Sequence, residues 1–400
     1  MNELSKASKR AKASERAPGR KEPSGRGMTR RKLVVQTIGF VIGMLLLAWT
    51  LRLAFAEENR DAFEELGRAS WHQVGAMVML GVLTLGFNGM IFWAAIRPVK
   101  RLPLIDVQAV NAIASLLSYL PFKLSLLFRT AVHNRRDGVP IFTIGSWFGA
   151  VGVMMLAVLL PLLGASVWRR GIDLWWMLTA VVGIGLSTLV IWKLAGLFSF
   201  GEGLDRFRRL IDLFRIKPLS KAVRTDTYAK MHTGIVMLAD PRALLTNIAL
   251  RLCDVSVHTA RFKLAAAMLG VPLTWEQATL SGVAYFLLGA GSPAGALGVR
   301  EAGTIGTVAL LGIADPERFA AVAVVVTASE TVAWIIGTVA GVARLNPAKL
   351  ARLEQERKGG LDVDPESGER IRVDETPAPQ TDKQPDRQPD QTTRGSEPRA

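Results

Sequence analysis

Residues 138–168 read GVPIFTIGSWFGAVGVMMLAVLLPLLGASVW, without one charged side chain. About 20 helical residues cross a hydrocarbon core of ~30 Å, so this stretch spans with residues to spare. Four further runs are equally free of charge: 33–51, 73–96, 174–192 and 277–299. Backbone groups at that depth have no water, so each run is helical or sheltered by protein. A transmembrane β-barrel would show alternating segments of about ten residues, and none is visible. The sequence predicts an all-α, polytopic helical membrane protein.

The polar segments between these runs set the topology. Residues 1–32 carry eleven Lys/Arg against three Glu, interspersed with Pro, Gly and Ser. They cannot build a core and are expected to be disordered. The next apolar run, 33–54, lacks a small-residue cleavage site and is taken as an uncleaved first span. Residues 55–70 are acidic; the loop after a second span, 71–96, is basic through Arg97, Lys100 and Arg101. The positive-inside rule then puts the N-terminus in the cytoplasm.

The segment 107–127 is apolar but interrupted by Asn111, Pro121 and Lys123, and 129–137 is again basic. Two readings fit. One is a hairpin that enters and leaves on the same side, with Pro121 near its turn. The other is an ordinary span with a weakly positive external loop. The charge asymmetry favours the hairpin.

A third span lies within 139–166 and a fourth at 174–198, with Trp168, Trp175 and Trp176 as interfacial anchors. The connector 199–242 holds nine Lys/Arg and five acids. Leu210, Ile211, Leu213 and Phe214, among charges, predict an amphipathic cytoplasmic helix there. The second half begins with 243–269, followed by 274–289, 302–313 and 319–342. That makes about eight passes plus re-entrant segments. Both termini are cytoplasmic, the membrane domain covers 33–345, and 346–400 is a disordered charged tail.

The net charge of +15 is explained by these loops. Its distribution fits topology signals and anionic-lipid contacts at the cytoplasmic loops rather than nucleic acid. Cys253 is the single cysteine, which excludes an intramolecular disulfide and a Cys-based metal site. No Ser/His/Asp arrangement, phosphate-binding loop or carboxylate-rich cluster is visible, so neither an enzyme nor a bound metal or cofactor is expected.

The chemistry lies in the imperfect spans. Gly289–Ala302 holds Gly291, Pro293, Gly295 and Gly298 beside Arg300 and Glu301. Gly and Pro interrupt helices and free backbone groups for a ligand, as in the broken helices of transporters. A plain Gly/Pro turn between spans explains the same spacing equally well. Glu330 stands mid-span, where a charge is costly without a partner. Candidate partners are Arg251, Arg261 and Arg300, and its role is either a structural ion pair or a lining of a polar cavity. Arg251, Asp254, His258 and Arg261 recur at i, i+3, i+7 and i+10, hence on one helix face. That face lines an internal polar path or is solvated at the cytoplasmic surface. Gly145-xxx-Gly149 and Gly337-xxx-Gly341 are close-packing patterns.

The run Ser292-Pro293-Ala294-Gly295-Ala296-Leu297-Gly298-Val299-Arg300-Glu301-Ala302 resembles the "PGGLGVREA" signature of the flippase-like membrane domain, also the transmembrane region of lysylphosphatidylglycerol synthases. Asn111, Leu120-Pro121-Phe122-Lys123 and Arg129 resemble that family's "LPxxxGExxR" stretch. Leu124, Ser125 and Leu126 stand where Gly-Glu is usual, Ala296 replaces a Gly, and Ala294 adds a residue. The resemblance covers about 33–344. It implies a stand-alone membrane domain without the synthases' soluble aminoacyl-transfer domain, since only a tail follows.

The expected function is that of a bacterial inner-membrane lipid translocase. It would bind an amphipathic lipid or lipid-linked headgroup in a polar intramembrane cavity. Arg300, Glu301, Glu330, Arg251, Asp254, Arg261, Asn111 and Arg129 would contact or gate the headgroup. Pro121, Pro293, Gly295 and Gly298 would shape the breaks. The alternative is an accessory protein that scaffolds a lipid-modifying or glycan-assembly enzyme.

Overall fold

The computed structural model describes residues 30–120, 123–169, 171–199, 203–213, 223–225, 228, 232, 234–292, 295–346, 361–363 and 370–372. The expectations for residues 1–29, Pro121, Pro293, Phe214 and most of the tail lie outside these residues. Two units are distinguished, 1–346 and 347–400.

The described elements of the first unit are all helical: α1 (Arg30–Ala54), a 3₁₀ turn (Glu57–Asn59), α2 (Arg60–Gly67), α3 (Trp71–Ile96), α4 (Leu104–Leu117), α5 (Leu124–Arg135), α6 (Ile141–Trp168), α7 (Leu174–Ser199), α8 (Gly203–Leu213), α9 (Gly234–Ala239), α10 (Pro241–Met268), α11 (Trp275–Gly291), α12 (Val299–Leu310) and α13 (Pro316–Leu345). In the second unit, Leu361–Val363 pairs antiparallel with Arg370–Arg372. These six residues fall in the tail expected to lack structure. Their alternation, Leu-Asp-Val against Arg-Ile-Arg, suits a strand pair.

Five helices are long and apolar enough to cross a membrane: α1 (over Val34–Ala54), α3, α6, α7 and α13. The chain is therefore a multi-pass membrane protein. Helix α10 matches them in length, with 28 residues, but its buried charges lower its hydropathy. The remaining two expected passes are shorter. Helix α11 has 17 residues and α12 has 12, so they rise only about 25 and 18 Å at 1.5 Å per residue. They form a hairpin. Helices α4 and α5, with 14 and 12 residues, form another.

Local chemistry starts the long helices. Asp240 and Asp315 each precede a proline and accept a backbone N–H, from Ala243 at 2.7 Å and Glu317 at 3.2 Å. Such caps contribute about 1 kcal/mol each, and proline at the first helical position loses no hydrogen bond. Ser70 and Gln73 make a reciprocal capping box at α3.

The ends of the helices gather at two opposite ends of the bundle. At one, Asn59 Nδ2 donates to Glu317 O at 2.9 Å, and Glu65 of α2 meets the α10–α11 turn at Gly270. At the other, Asp106 in the first turn of α4 accepts from Arg136 after α5 and from Arg344 of α13, while Lys100 donates to Asp137 O. The α4–α5 hairpin thus returns to the end it left, which decides for the re-entrant reading. The α11–α12 hairpin does the same from the opposite end, where Glu276, Gln277, Leu311 and Ile313 border one small cavity.

The order long helix, hairpin, long helix occurs twice, as α3, α4–α5, α6 and as α10, α11–α12, α13, in opposite senses. This is the inverted repeat of many transporters. Close backbone approach holds the two copies together. A Cβ on Gly341 of α13 would lie 2.7 Å from Ala109 O of α4. Gly337 meets Leu85 and Ala112, so the second close-packing pattern is used. Gly145 and Gly149 face open space.

Candidate functional site

The two hairpin tips meet inside the bundle. Ala296 N donates to Ser118 O at 3.2 Å. A Cβ on Gly295 would lie 3.5 Å from both Tyr119 O and Leu120 O. Ahead of α12 the chain passes through Gly295 and Gly298, whose φ values of +123° and +82° suit glycine. A Cβ on Gly298 would stand 1.9 Å from Gly43 O, midway along α1. The tip therefore lies at mid-depth, pressed against a full span. Of the two sequence readings, the broken-helix one describes this geometry.

Arg300, in the first turn of α12, is 4 % exposed and organises the largest polar network. Its Nε donates to Glu301 Oε1 at 2.8 Å, Nη1 to Glu330 Oε1 at 3.3 Å and Nη2 to the Tyr119 hydroxyl at 2.8 Å. Its guanidinium also sits 4.4 Å from the Tyr285 ring centre, 5.0 Å from Tyr119 and 5.4 Å from Trp334. Buried cation–π contacts contribute ~2 kcal/mol. Glu301 does a second job: its Oε2 accepts from Gly298 N at 2.6 Å, capping α12.

Glu330 takes two of its three expected partners. Arg261 reaches Oε2 at 3.4 Å, alongside the Tyr285 hydroxyl at 3.0 Å, and Arg300 holds Oε1. Arg251 is not among them: nearly three turns from Arg261 along α10, it pairs with Asp254 at 2.7 Å and lies 4.6 Å over Phe286. Arg251, Asp254 and Arg261, the charges of the predicted face, are all buried, which rules out the solvated-face reading. His258 is 4.0 Å from Asp254, and neither ring nitrogen has a hydrogen-bond partner.

Asn111 and Arg129 form the third group. Asn111 donates to Leu85 O at 3.0 Å, and its Oδ1 accepts from Arg129 Nη2 at 2.7 Å. Arg129 stacks 4.3 Å over Phe92.

A cavity of about 180 Å³ joins the groups. Asn88, Arg129, His258, Tyr285, Arg300 and Glu330 are among the side chains lining it. Asp254, Arg251, Arg261 and Glu301 stand behind these. Sequence reasoning missed Tyr119, Tyr285, Trp334, Thr327 and Thr331. Thr327 joins Tyr285 to Glu301 at 2.8 Å on each side, and Thr331 is 3.0 Å from the Tyr119 hydroxyl. The signal was available: the chain has only three tyrosines, and a tyrosine in an apolar run needs a partner for its hydroxyl.

Outside this core, a groove of about 860 Å³ runs between α7 and α10, from Trp176 and Trp275 to Trp192 and Pro241, lined almost entirely by apolar side chains. A cleft of about 520 Å³ at the α10 N-terminus is bordered by Arg97, Lys100, Arg101 and Arg242. Among the described residues, no group of three or more His, Cys, Asp or Glu could hold a metal.

Neither curated proteins nor solved structures include a match to the chain. Residues 36–341 match the family described as the lysylphosphatidylglycerol synthase TM region. The match runs from α1 to the last turns of α13, across both hairpins and the charged network between them. The chain belongs to the family of the lysylphosphatidylglycerol synthase transmembrane region.

Proposed function

We propose that this protein is a lipid translocase of the bacterial inner membrane, carrying an amphipathic lipid or lipid-linked headgroup between leaflets. The observation that carries the reading is the meeting of two opposed half-depth hairpins at a buried polar cavity. Passage across such an arrangement needs only local parting of two tips, and the cavity supplies polar partners for a headgroup on the way. The family adds a membrane-lipid context.

Two further features support it. The groove between α7 and α10 has the size and apolar lining for acyl chains, with tryptophans at both ends. The cleft bordered by Arg97, Lys100, Arg101 and Arg242 suits anionic lipid, and its charge supports a cytoplasmic location for that end of the bundle. On this reading the chain makes and breaks no covalent bond; Arg300, Glu301 and Glu330 hold and gate the headgroup.

The test is reconstitution of the full chain into vesicles with fluorescent headgroup-labelled lipids, followed by quenching from outside. The protein should raise the exchange rate above that of empty vesicles. Absence of exchange for anionic, cationic and polyprenyl-phosphate lipids alike would refute the proposal.

A further inference from the structure

The buried charges do not balance. Apart from Asp106 and Glu276, which are buried in the first turns of α4 and α11 at the ends of the bundle, the described residues place four guanidinium groups inside it, Arg129, Arg251, Arg261 and Arg300, and three carboxylates, Asp254, Glu301 and Glu330. Arg251 has Asp254, while Arg261 and Arg300 share Glu330, and Arg300 also holds Glu301. Among the described residues, no carboxylate lies within 4.0 Å of Arg129. Its polar partner is the neutral amide of Asn111, its other neighbour is the Phe92 ring, and its Nε has no hydrogen-bond partner. A guanidinium does not lose its proton to escape this, and an uncompensated buried charge costs several kcal/mol.

Arg129 is 6 % exposed and borders the central cavity. Around that cavity stand Asn88, Ser125, Thr84 with an unpartnered hydroxyl and His258 with its unpartnered ring; the Ser115 and Ser118 hydroxyls, which also line it, donate to backbone carbonyls, and the Glu330 carboxylate is held by Arg261, Arg300 and Tyr285. Ser125 belongs to the first turn of α5, so the positive end of that half-helix borders the cavity as well. At roughly 30 Å³ per water the space holds about six waters, enough for a phosphate group but not for a whole lipid. A guanidinium fork matches phosphate oxygens in pairs, and a phosphate has oxygens left over for the surrounding hydroxyls and amide.

We infer that Arg129 is the receptor for a phosphate-class anion, so that the cargo carries net negative charge at its headgroup. The inference rests on the translocase reading for what the site is used for, and on the charge count for what it binds. The anion's source is either a lipid phosphate or free phosphate.

Native mass spectrometry of the full chain tests it, offering phosphatidylglycerol, phosphatidylcholine, lysyl-phosphatidylglycerol or inorganic phosphate. The wild type should retain phosphatidylglycerol about tenfold more than either other lipid, the scale of one charge-assisted pair. Arg129→Gln should abolish the preference and Arg129→Lys should keep part of it. Asn111→Asp supplies the missing carboxylate in place and should also abolish it, which keeps the test open if Arg129→Gln fails to fold. Retention of inorganic phosphate that displaces phosphatidylglycerol assigns the site to free phosphate; retention of the lipid alone assigns it to a headgroup. Equal retention by wild type and Asn111→Asp, or a preference for the cationic lipid, overturns the inference. Exchange in vesicles is read separately: exchange without anion preference sinks this inference and leaves the translocase, while anion retention without exchange does the reverse.

Discussion

Ala296 N donates a 3.2 Å hydrogen bond to Ser118 O, joining chain segments that arrive from opposite ends of the bundle. Each belongs to the tip of a hairpin too short to cross alone. The contact is between backbones, so it depends on the path of the two tips more than on their side chains.

Tying the tips together should stop transport. Ser118→Cys with Ala296→Cys, in a Cys253→Ala background, places two thiols at residues already in backbone contact, within the reach of a disulfide. Oxidation should cross-link them within one chain and suppress lipid exchange in vesicles, and a reductant should restore it. Exchange unaffected by complete cross-linking would show that the tips need not part.

Glu330 is held by Arg261, Arg300 and Tyr285. Glu330→Leu leaves two buried guanidiniums without it and should cost about 3–5 kcal/mol. It should be seen as a lower melting temperature of the purified protein. Arg261→Leu combined with Glu330→Leu should cost less than the sum of the single changes. A strictly additive pair would mean that the two do not interact.

Backbone conformation should govern the second hairpin. Gly298→Ala meets both a φ of +82° and Gly43 O at 1.9 Å, and should destabilise by at least ~1–2 kcal/mol. Gly306→Ala, in α12 with nothing within 4 Å of its Cβ, should be neutral or stabilising by up to ~1 kcal/mol. Thermal unfolding of the two variants side by side distinguishes these outcomes.

At the turn into α7, the hydrogen bond from Arg169 and the Trp176 N–H hold the Asp173 carboxyl below its ordinary value of 3.8. A depressed folded-state value stabilises the turn above the unfolded-state value, and the benefit is lost as pH falls through the folded one. Asp173→Asn should therefore lower thermal stability at neutral pH, and the gap to wild type should close below about pH 4. A gap unchanged down to pH 3 would remove the carboxylate from the account.

Orientation has its own measurement. Glu58→Cys and Arg209→Cys, each alone in a Cys253→Ala background, should react with an impermeant thiol reagent from opposite faces of the membrane. Both residues are exposed. Reaction from the same face would overturn the topology.

The long spans were legible because apolar composition and length alone define them. The α4–α5 hairpin was legible through charge, since Arg97, Lys100, Arg101 and Arg136 flank it on one side. The α11–α12 hairpin was harder: 274–289 and 302–313 are apolar enough to pass as spans, and only their 17 and 12 helical residues show the shortfall. Glu330 and Arg300 announced themselves as charges in apolar surroundings. The division of labour between them did not. Which guanidinium reaches which carboxylate is set by helix packing, and so Arg251 was offered to Glu330 when Asp254, three residues away, holds it. Trp334 gave little local signal because tryptophan is ordinary in a bilayer, whereas the scarcity of tyrosine could have marked Tyr119 and Tyr285.

The opposed hairpins change what a crossing requires. Where a full span walls off the two leaflets along its whole length, here the partition narrows to a thin diaphragm where two hairpin tips meet. On the translocase proposal, a headgroup that reaches this diaphragm has already travelled half the hydrocarbon depth without any long helix moving. The remaining obstacle is a few residues thick, and its stiffness can be tuned by the tip residues alone.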